Sequence, residues 1–463
     1  MCCARSDFQR LKKYSKMFAR AAFCDVTPRD RPVQLAGYAQ RRTASRILDP
    51  IEISALLLES DGCRCLILSF DLLIVGSELQ SIVLSRLASL GFRADEVMLL
   101  ASHTHNAPAT DRACGLLGTP DLKFVNDAAD AAEELVRRIE REFPARVSLD
   151  IFRGRLNHAI NRRRYWPFPT FSRAYGFKWR SVVLSPNPSG PRDEDATVVV
   201  LRKINDSKSL AVLWHYACHP TAAAAIDVVS ADYPGAVRRL LRGRFGDTPC
   251  VFAQGFCGDV RPNVTPSSRK FRLRERLNRI VRIVASGNLF PAVTSADLTA
   301  WSQSLAAAVG NIVKADPATS LSPECLSVGS ASIPIDRFFT GSVPDKILTS
   351  RIVKIGHALE IVVLSAEPTA EWIRILEGAV PRAPQQLRLY VGYLGSVFGY
   401  LPTAAQVAEG GYEVEGFQPL FGLSGHFESS RIEEIVSACV KSAFGDAAHK
   451  RPCEGADAEN GCR

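Results

Sequence analysis

The sequence predicts an α/β protein: a mixed β-sheet flanked by helices in a single large catalytic domain. Three observations carry this. Apolar runs of strand length alternate with segments of helical periodicity, hairpin-like strand pairs mix with longer crossovers, and no internal repeat or linker interrupts the pattern. With 463 residues, 46% hydrophobic and 23% charged, the chain is long enough and apolar enough to bury a sizeable core.

Residues 1–17 read as a basic tail, and regular structure is expected from Phe18. IEISALLLES (51–60) and RCLILSFDLL (64–73) read as buried strands, the second ending at Asp71. Residues 76–92 form a helix by their three-and-four spacing, closed by Gly91. EVMLLASHTHNAP (96–108) is a strand running into a polar turn, and residues 121–143 are a long amphipathic helix, acids early and bases late. VSLDIFRGRL (147–156) is another strand. The stretch from Asn161 to Pro191, rich in Arg, Pro, Ser and aromatics, reads as a long functional loop.

Residues 196–204 and 209–218 are expected to pair through the turn NDSK, followed by a helix at 231–245 and a strand at 249–256. A helix at 296–315 comes next, then a hairpin at 350–368 turning near Gly356 and His357. Helices at 371–380 and 431–444 complete the domain, 18–445, and residues 446–463 read as a disordered tail.

The net charge of +9 is a mild bias over this length, compatible with acidic substrates or peripheral contact with an anionic membrane. The basic runs at 162–164, at Arg238-Arg239 with Arg242, and at 269–282 are not interleaved with aromatics in a nucleic-acid pattern. They read as solvated helix faces, so no nucleic acid is expected as a partner, and no protein partner is inferred. No stretch is long and apolar enough to span a membrane, and the first residues lack the apolar core of a secretory signal. The thirteen cysteines are odd in number and irregularly spaced. These features point to a cytoplasmic protein with free thiols. Cys2 and Cys3 are either lipidation sites or plain tail residues.

Five places carry polar residues at strand ends, where α/β enzymes place their chemistry. SHTHNAP holds His103 and His105, whose i, i+2 spacing aims both rings one way on a strand; the pair is a metal motif or a turn with hydrogen-bonded imidazoles. WHYACHPTA holds His215, read as structural, and His219 at a strand end. FAQGFCGDVRPN ends a strand in a Gly-rich turn with Asp259, Arg261 and Asn263, which is a substrate loop or simply an Asp-capped turn. Glu367 follows an apolar strand as a ligand or as a helix N-terminal charge. FGYLPTAAQVAEGGYE brings Tyr400 and Tyr412, an aromatic turn when taken alone.

In their order along the chain, these motifs resemble the neutral, non-lysosomal ceramidases. LAGYAQ resembles an early MGYA segment, SHTHNAP resembles THTHSGP, and Asn161-Arg162 resembles INRS. CHPTA and AEPT resemble metal-ligand segments, GDVRPN resembles GDVSPN, and GYLPTAAQVAEGGYE resembles YVTTPEEYxxxxYE. The resemblance implies a zinc ion held by His103, His219, Glu367 and Tyr400. It implies that His105 and Arg162 act on the bound substrate, and that Asp71 orients a histidine from behind. The implied reaction is cleavage of the amide bond of N-acyl sphingosine, or a related N-acyl lipid, by metal-activated water.

Arg261 stands where that family carries serine, a change from a small hydroxyl to a permanently charged fork. It points to a substrate bearing a carboxylate, phosphate or sulfate, or swings out into a surface ion pair. The family's signal peptide and trailing β-sandwich are not expected here, since the tail after Gly445 is too short for a sandwich. Three readings therefore stay open: a ceramidase-like amidase, a zinc hydrolase of another amide or ester, and a non-catalytic homologue. A metallophosphoesterase is set aside because G-N-H-[ED] and G-H-x-H are absent.

Overall fold

Strands that are apolar on both faces must be covered on both, and the sequence from Glu52 to Ser60 shows what covers them. In the computed structural model, Ile53, Ala55 and Leu57 point into one core and Leu56 and Leu58 into another. The same period-two division recurs along Cys63–Phe70 and Ser209–Tyr216. The structure describes residues 16–38, 42–172, 176–178, 181–206, 208–267, 280–281, 283–343 and 346–449.

A nine-stranded mixed sheet runs in the order Cys250–Gln254, Ser209–Tyr216, Asp195–Lys203, Ala145–Arg155, Phe18–Asp25, Glu52–Ser60, Cys63–Phe70 and Val97–Ala101, with Thr319–Leu321 also paired to Ala145–Arg155. Its two outermost pairs are parallel and the pairs between them antiparallel. One face is covered by helices Ser77–Ser89, Leu122–Arg141, Asp232–Phe245 and Ser295–Ile312. The other face packs on a second mixed sheet of Leu326–Pro334, Ile347–Ile355, Leu359–Leu364 and Leu387–Val391. Helices Trp372–Ala379 and Ile432–His449 cover its far side. The architecture is thus four layers, helix, sheet, sheet, helix. The α/β class and single domain stand as read, but two sheets replace the one expected.

Several ends are set by local chemistry. Asp121 caps Leu122–Arg141 by accepting from the backbone N–H groups of Lys123 and Phe124, and Thr294 and Asp297 form a capping box on Ser295–Ile312. Gly356, at φ +58°, turns the hairpin between Ile347–Ile355 and Leu359–Leu364. The last helix runs on to His449, and the Asp446 carboxylate accepts from the backbone N–H of Ser330. Residues 1–15 and 450–463, with Cys2 and Cys3, lie outside the described residues.

The segment from Asn161 to Pro191 is not a loop. Ala159–Trp166 pairs antiparallel with both Ser181–Asn187 and Val260–Pro262. Its buried face carries Asn161 and Arg163 instead of apolar side chains, each satisfied by polar partners, so hydrophobic periodicity is absent. The basic runs are solvated only in part: Arg164 and Arg239 are exposed, but Arg162, Arg163, Arg238 and Arg242 are not. Arg162 and Arg163 share the buried Glu413, while Arg238 meets Asp71 and Arg242 meets Glu52. Most of the run at 269–282 lies outside the described residues. Among the described residues no disulfide forms and no helix is long and apolar enough to cross a membrane.

Candidate metal centre

His103, His219 and Glu367 lie two to three residues beyond the C-terminal ends of Val97–Ala101, Ser209–Tyr216 and Leu359–Leu364. Each of these strands has a parallel neighbour, and C-terminal strand ends are where open α/β sheets leave a crevice. Two bridges, Leu100 to Leu394 and Gly255 to Val391, stitch the sheets together at this end.

His103 takes a left-handed backbone, φ +65°, that ends the strand and swings its ring inward. Its backbone N–H donates to Leu72 O and its Nδ1 lies 2.9 Å from Leu73 O. His219 is fixed in the same manner, with Nδ1 2.7 Å from Cys257 O and 2.9 Å from Val260 O. A carbonyl oxygen only accepts, so both Nδ1 atoms carry the proton and both Nε2 atoms present lone pairs. These lone pairs face Glu367 Oε1 at 3.4 Å and 2.9 Å. All three atoms are buried and without a hydrogen-bond donor.

Three converging acceptors repel one another unless a cation sits among them. Protonation is a poor solution, since burial and then Arg162 press the His219 pKa down to about 4. The residues therefore fit a metal ion. His105 belongs to the same cluster: its imidazole nitrogens and those of His103 and His219 include ligand atoms within 4.8 Å of one another. Both its ring nitrogens are buried without partners, and burial followed by the neighbouring histidines holds its pKa well below the usual range. The rings of His103 and His105 converge, 5.0 Å apart, but through the turn at His103 rather than strand alternation.

Tyr400 pairs in parallel register opposite Glu367. Burial and then the Glu367 charge push its phenol pKa well up, so the hydroxyl is neutral at ordinary pH. Arg162 donates from Nη2 to Tyr400 Oη at 3.0 Å and to Gly258 O at 2.7 Å, and from Nε to Glu413 Oε1 at 2.8 Å. Burial opposes its charge, but Tyr400, Glu413 and Glu367 hold its pKa well above normal.

Asp259 is a joint. One carboxylate oxygen accepts from Ala370 N–H and the other from Asn161 and Gln406, which ties together the segments carrying Glu367, Arg162 and Tyr400. Asn263 contributes a backbone N–H to His158 O, beside the pairing of Val260–Pro262 with Ala159–Trp166. Asp71 does not orient a histidine. Its carboxylate meets Arg238 at 2.7 Å and the backbone N–H of Glu52, and backbone carbonyls do the orienting instead. His215 stays apart from the cluster, with Nε2 on Tyr390 O. Arg261 does not swing out into an ion pair, because no described acidic group reaches it.

Two residues escaped the sequence reading. Glu413 anchors Arg162 and Arg163, and its only signal was its place beside Tyr412 in the YE pair. Tyr393 stacks on His103 at 4.1 Å with φ +60°, and its hydroxyl lies 3.1 Å from Cys257 Sγ. Nothing in its sequence context marked it.

No protein-family model matches the chain, and no curated protein matches it. Solved structures do. A neutral ceramidase from Pseudomonas aeruginosa superimposes with a TM-score of 0.68 at 16% identity, covering 93% of this chain and 74% of that one. A ceramidase complexed with C2 gives 0.69 at 16% identity, covering 95% and 76%. At that identity the likeness speaks to the fold, and it extends over nearly the whole chain: this protein has the fold of the neutral ceramidases.

Proposed function

We propose that the protein is a metal-dependent hydrolase that cleaves the amide bond of an N-acyl compound with water, releasing a carboxylic acid and an amine. The observation that carries this reading is the convergence of the His103 and His219 lone pairs on Glu367 Oε1, buried and without a donor. The names of the structural neighbours supply the reaction class. His103, His219 and Glu367 would hold the ion, with Tyr400 completing the set. A divalent ion such as zinc supplies a Lewis acid there that polarises a carbonyl and acidifies water near neutral pH.

The remaining work falls to the chain. His105, neutral and unpartnered beside the ligand atoms, is placed to hold the proton given up by the attacking water and pass it to the leaving amine. Arg162, immobilised by Glu413 and Gly258, keeps the Tyr400 hydroxyl in position and supplies fixed positive charge where a carbonyl oxygen becomes negative. Asp259 holds the three segments in register.

The test is turnover of a fluorogenic N-acyl sphingosine, of simpler N-acyl amines and of acidic N-acyl amino acids by the zinc-loaded protein. Hydrolysis that a chelator abolishes and zinc restores is the expected result. A metal-loaded, folded protein that hydrolyses none of them would contradict the proposal.

A further inference from the structure

The backbone carbonyl of Val260 accepts from the N–H of His219 and faces its Nδ1, so the next residue, Arg261, is pinned beside the metal centre. Arg261 is half-buried, and its Nε is fully buried without a hydrogen-bond partner. The guanidinium forms no ion pair with any described residue, and its contact is the face of Phe290, 4.3 Å from Cζ. Burial, then repulsion from Arg162, draws its pKa down, while Tyr38 pulls the other way.

Tyr38 joins this arginine to the site. Its ring lies 4.9 Å from that of His105 and 4.5 Å from the Arg42 guanidinium. Arg42 also forms no ion pair with a described carboxylate, its Nη donors being taken by the backbone oxygens of Ile226, Ala36 and His105. The contrast with Arg162 and Arg163 is direct, since both pair with the Glu413 carboxylate. Among the described residues a carboxylate meets the arginines behind the centre and none forms an ion pair with Arg42 or Arg261. A half-buried cation that meets a ring face but no described carboxylate is costly unless a ligand completes it. A planar fork is suited to a bidentate oxyanion.

Resting on the hydrolase reading above, we propose that Arg261 recognises an oxyanion on the substrate, so that the preferred substrates are anionic N-acyl compounds, carrying a carboxylate or a phosphate, rather than neutral N-acyl alcohols such as ceramide. Arg42 adds to the positive field without contributing a free fork.

The test uses three compounds with one acyl chain and one amide: N-dodecanoylglycine, the phosphate monoester of N-dodecanoylethanolamine, and neutral N-dodecanoylethanolamine. Hydrolysis and calorimetric binding are measured in parallel on the zinc-loaded wild type, Arg261→Ser and Arg261→Lys, each checked for folding by thermal melting. The expected result is a kcat/KM for at least one anionic compound ~10- to 100-fold above the neutral one. The preference should disappear in Arg261→Ser, mainly through KM, and fall partway in Arg261→Lys, which keeps the charge but not the fork. Which anion is favoured separates carboxylate from phosphate.

Hydrolysis without an anionic preference, or with a preference that survives both substitutions, overturns this inference and leaves the hydrolase reading standing. Arg261-dependent binding of the anionic compounds without hydrolysis leaves oxyanion recognition by Arg261 standing but overturns the hydrolase reading and, with it, the substrate preference. Neither binding nor hydrolysis overturns both.

Discussion

Arg162 donates from Nη2 to the hydroxyl oxygen of Tyr400 at 3.0 Å while Glu413 accepts from Nε of the same guanidinium at 2.8 Å. Glu413 also takes Arg163 at 2.9 Å, so one fully buried carboxylate is shared by two guanidinium groups, with Glu409 meeting Arg163 from outside. Removing its charge leaves Arg162 uncompensated and Arg163 with only the half-exposed Glu409, at a cost of roughly 3–5 kcal/mol. Glu413→Gln is therefore expected to lower the denaturant midpoint markedly and to reduce turnover as Tyr400 loses its fixed partner. Chemical denaturation measures this, and stability within ~1 kcal/mol of wild type would show that the pair carries no weight.

Gly37 decides the position of His105. A Cβ there would stand 2.6 Å from His105 Nδ1, and the backbone at φ +115° disfavours any side chain. Gly37→Ala is expected to displace the ring and cut turnover by about 100-fold or more, the scale of a lost general acid–base group. Metal content measured on the same sample tells the two roles of His105 apart. The account predicts retention of the ion, because His103, His219 and Glu367 are untouched; wild-type turnover would contradict it.

The buried strands and most of the helices were legible because burial leaves a periodic trace. Leu56 and Leu57 announce a strand covered on both faces, although no local signal says that the second cover is another sheet. Ala159–Trp166 was misread because its inward positions are Asn161 and Arg163, whose partners Asp259 and Glu413 lie about 100 and 250 residues away in sequence. A polar strand completed by distant partners has no hydrophobic period to detect. Asp71 was misassigned for a related reason: its place at a strand end was visible, but Arg238 was not. The histidines stood out by type and spacing, whereas the carbonyls that orient them are backbone groups invisible to any motif.

Asp232 gives the fold a pH dependence away from the proposed ligands. It starts a helix at φ +58°, and its buried carboxylate accepts from the N–H groups of Ala222, Ala223 and Tyr233. Burial outweighs those bonds and raises its pKa from 3.8 to about 7. A carboxyl raised on folding binds a proton more tightly in the native state. Its stabilising contribution is complete below the unfolded value and is lost as pH rises through the folded one. Between pH 5 and 7 the wild type should lose roughly 2–3 kcal/mol from this group. Melting curves of wild type and Asp232→Asn across that range check the claim. The variant should lack this part of the slope, and parallel slopes would rule out the assignment.

The most direct measurement is the metal content of the purified protein by elemental analysis, beside His219→Ala and Glu367→Gln. The account predicts about one tightly held divalent ion per wild-type chain, lost from His219→Ala and strongly depleted in Glu367→Gln, with both variants still folded. A wild-type chain that takes up no ion when offered zinc, or variants that keep it at full stoichiometry, would contradict the claim that these side chains form a metal centre.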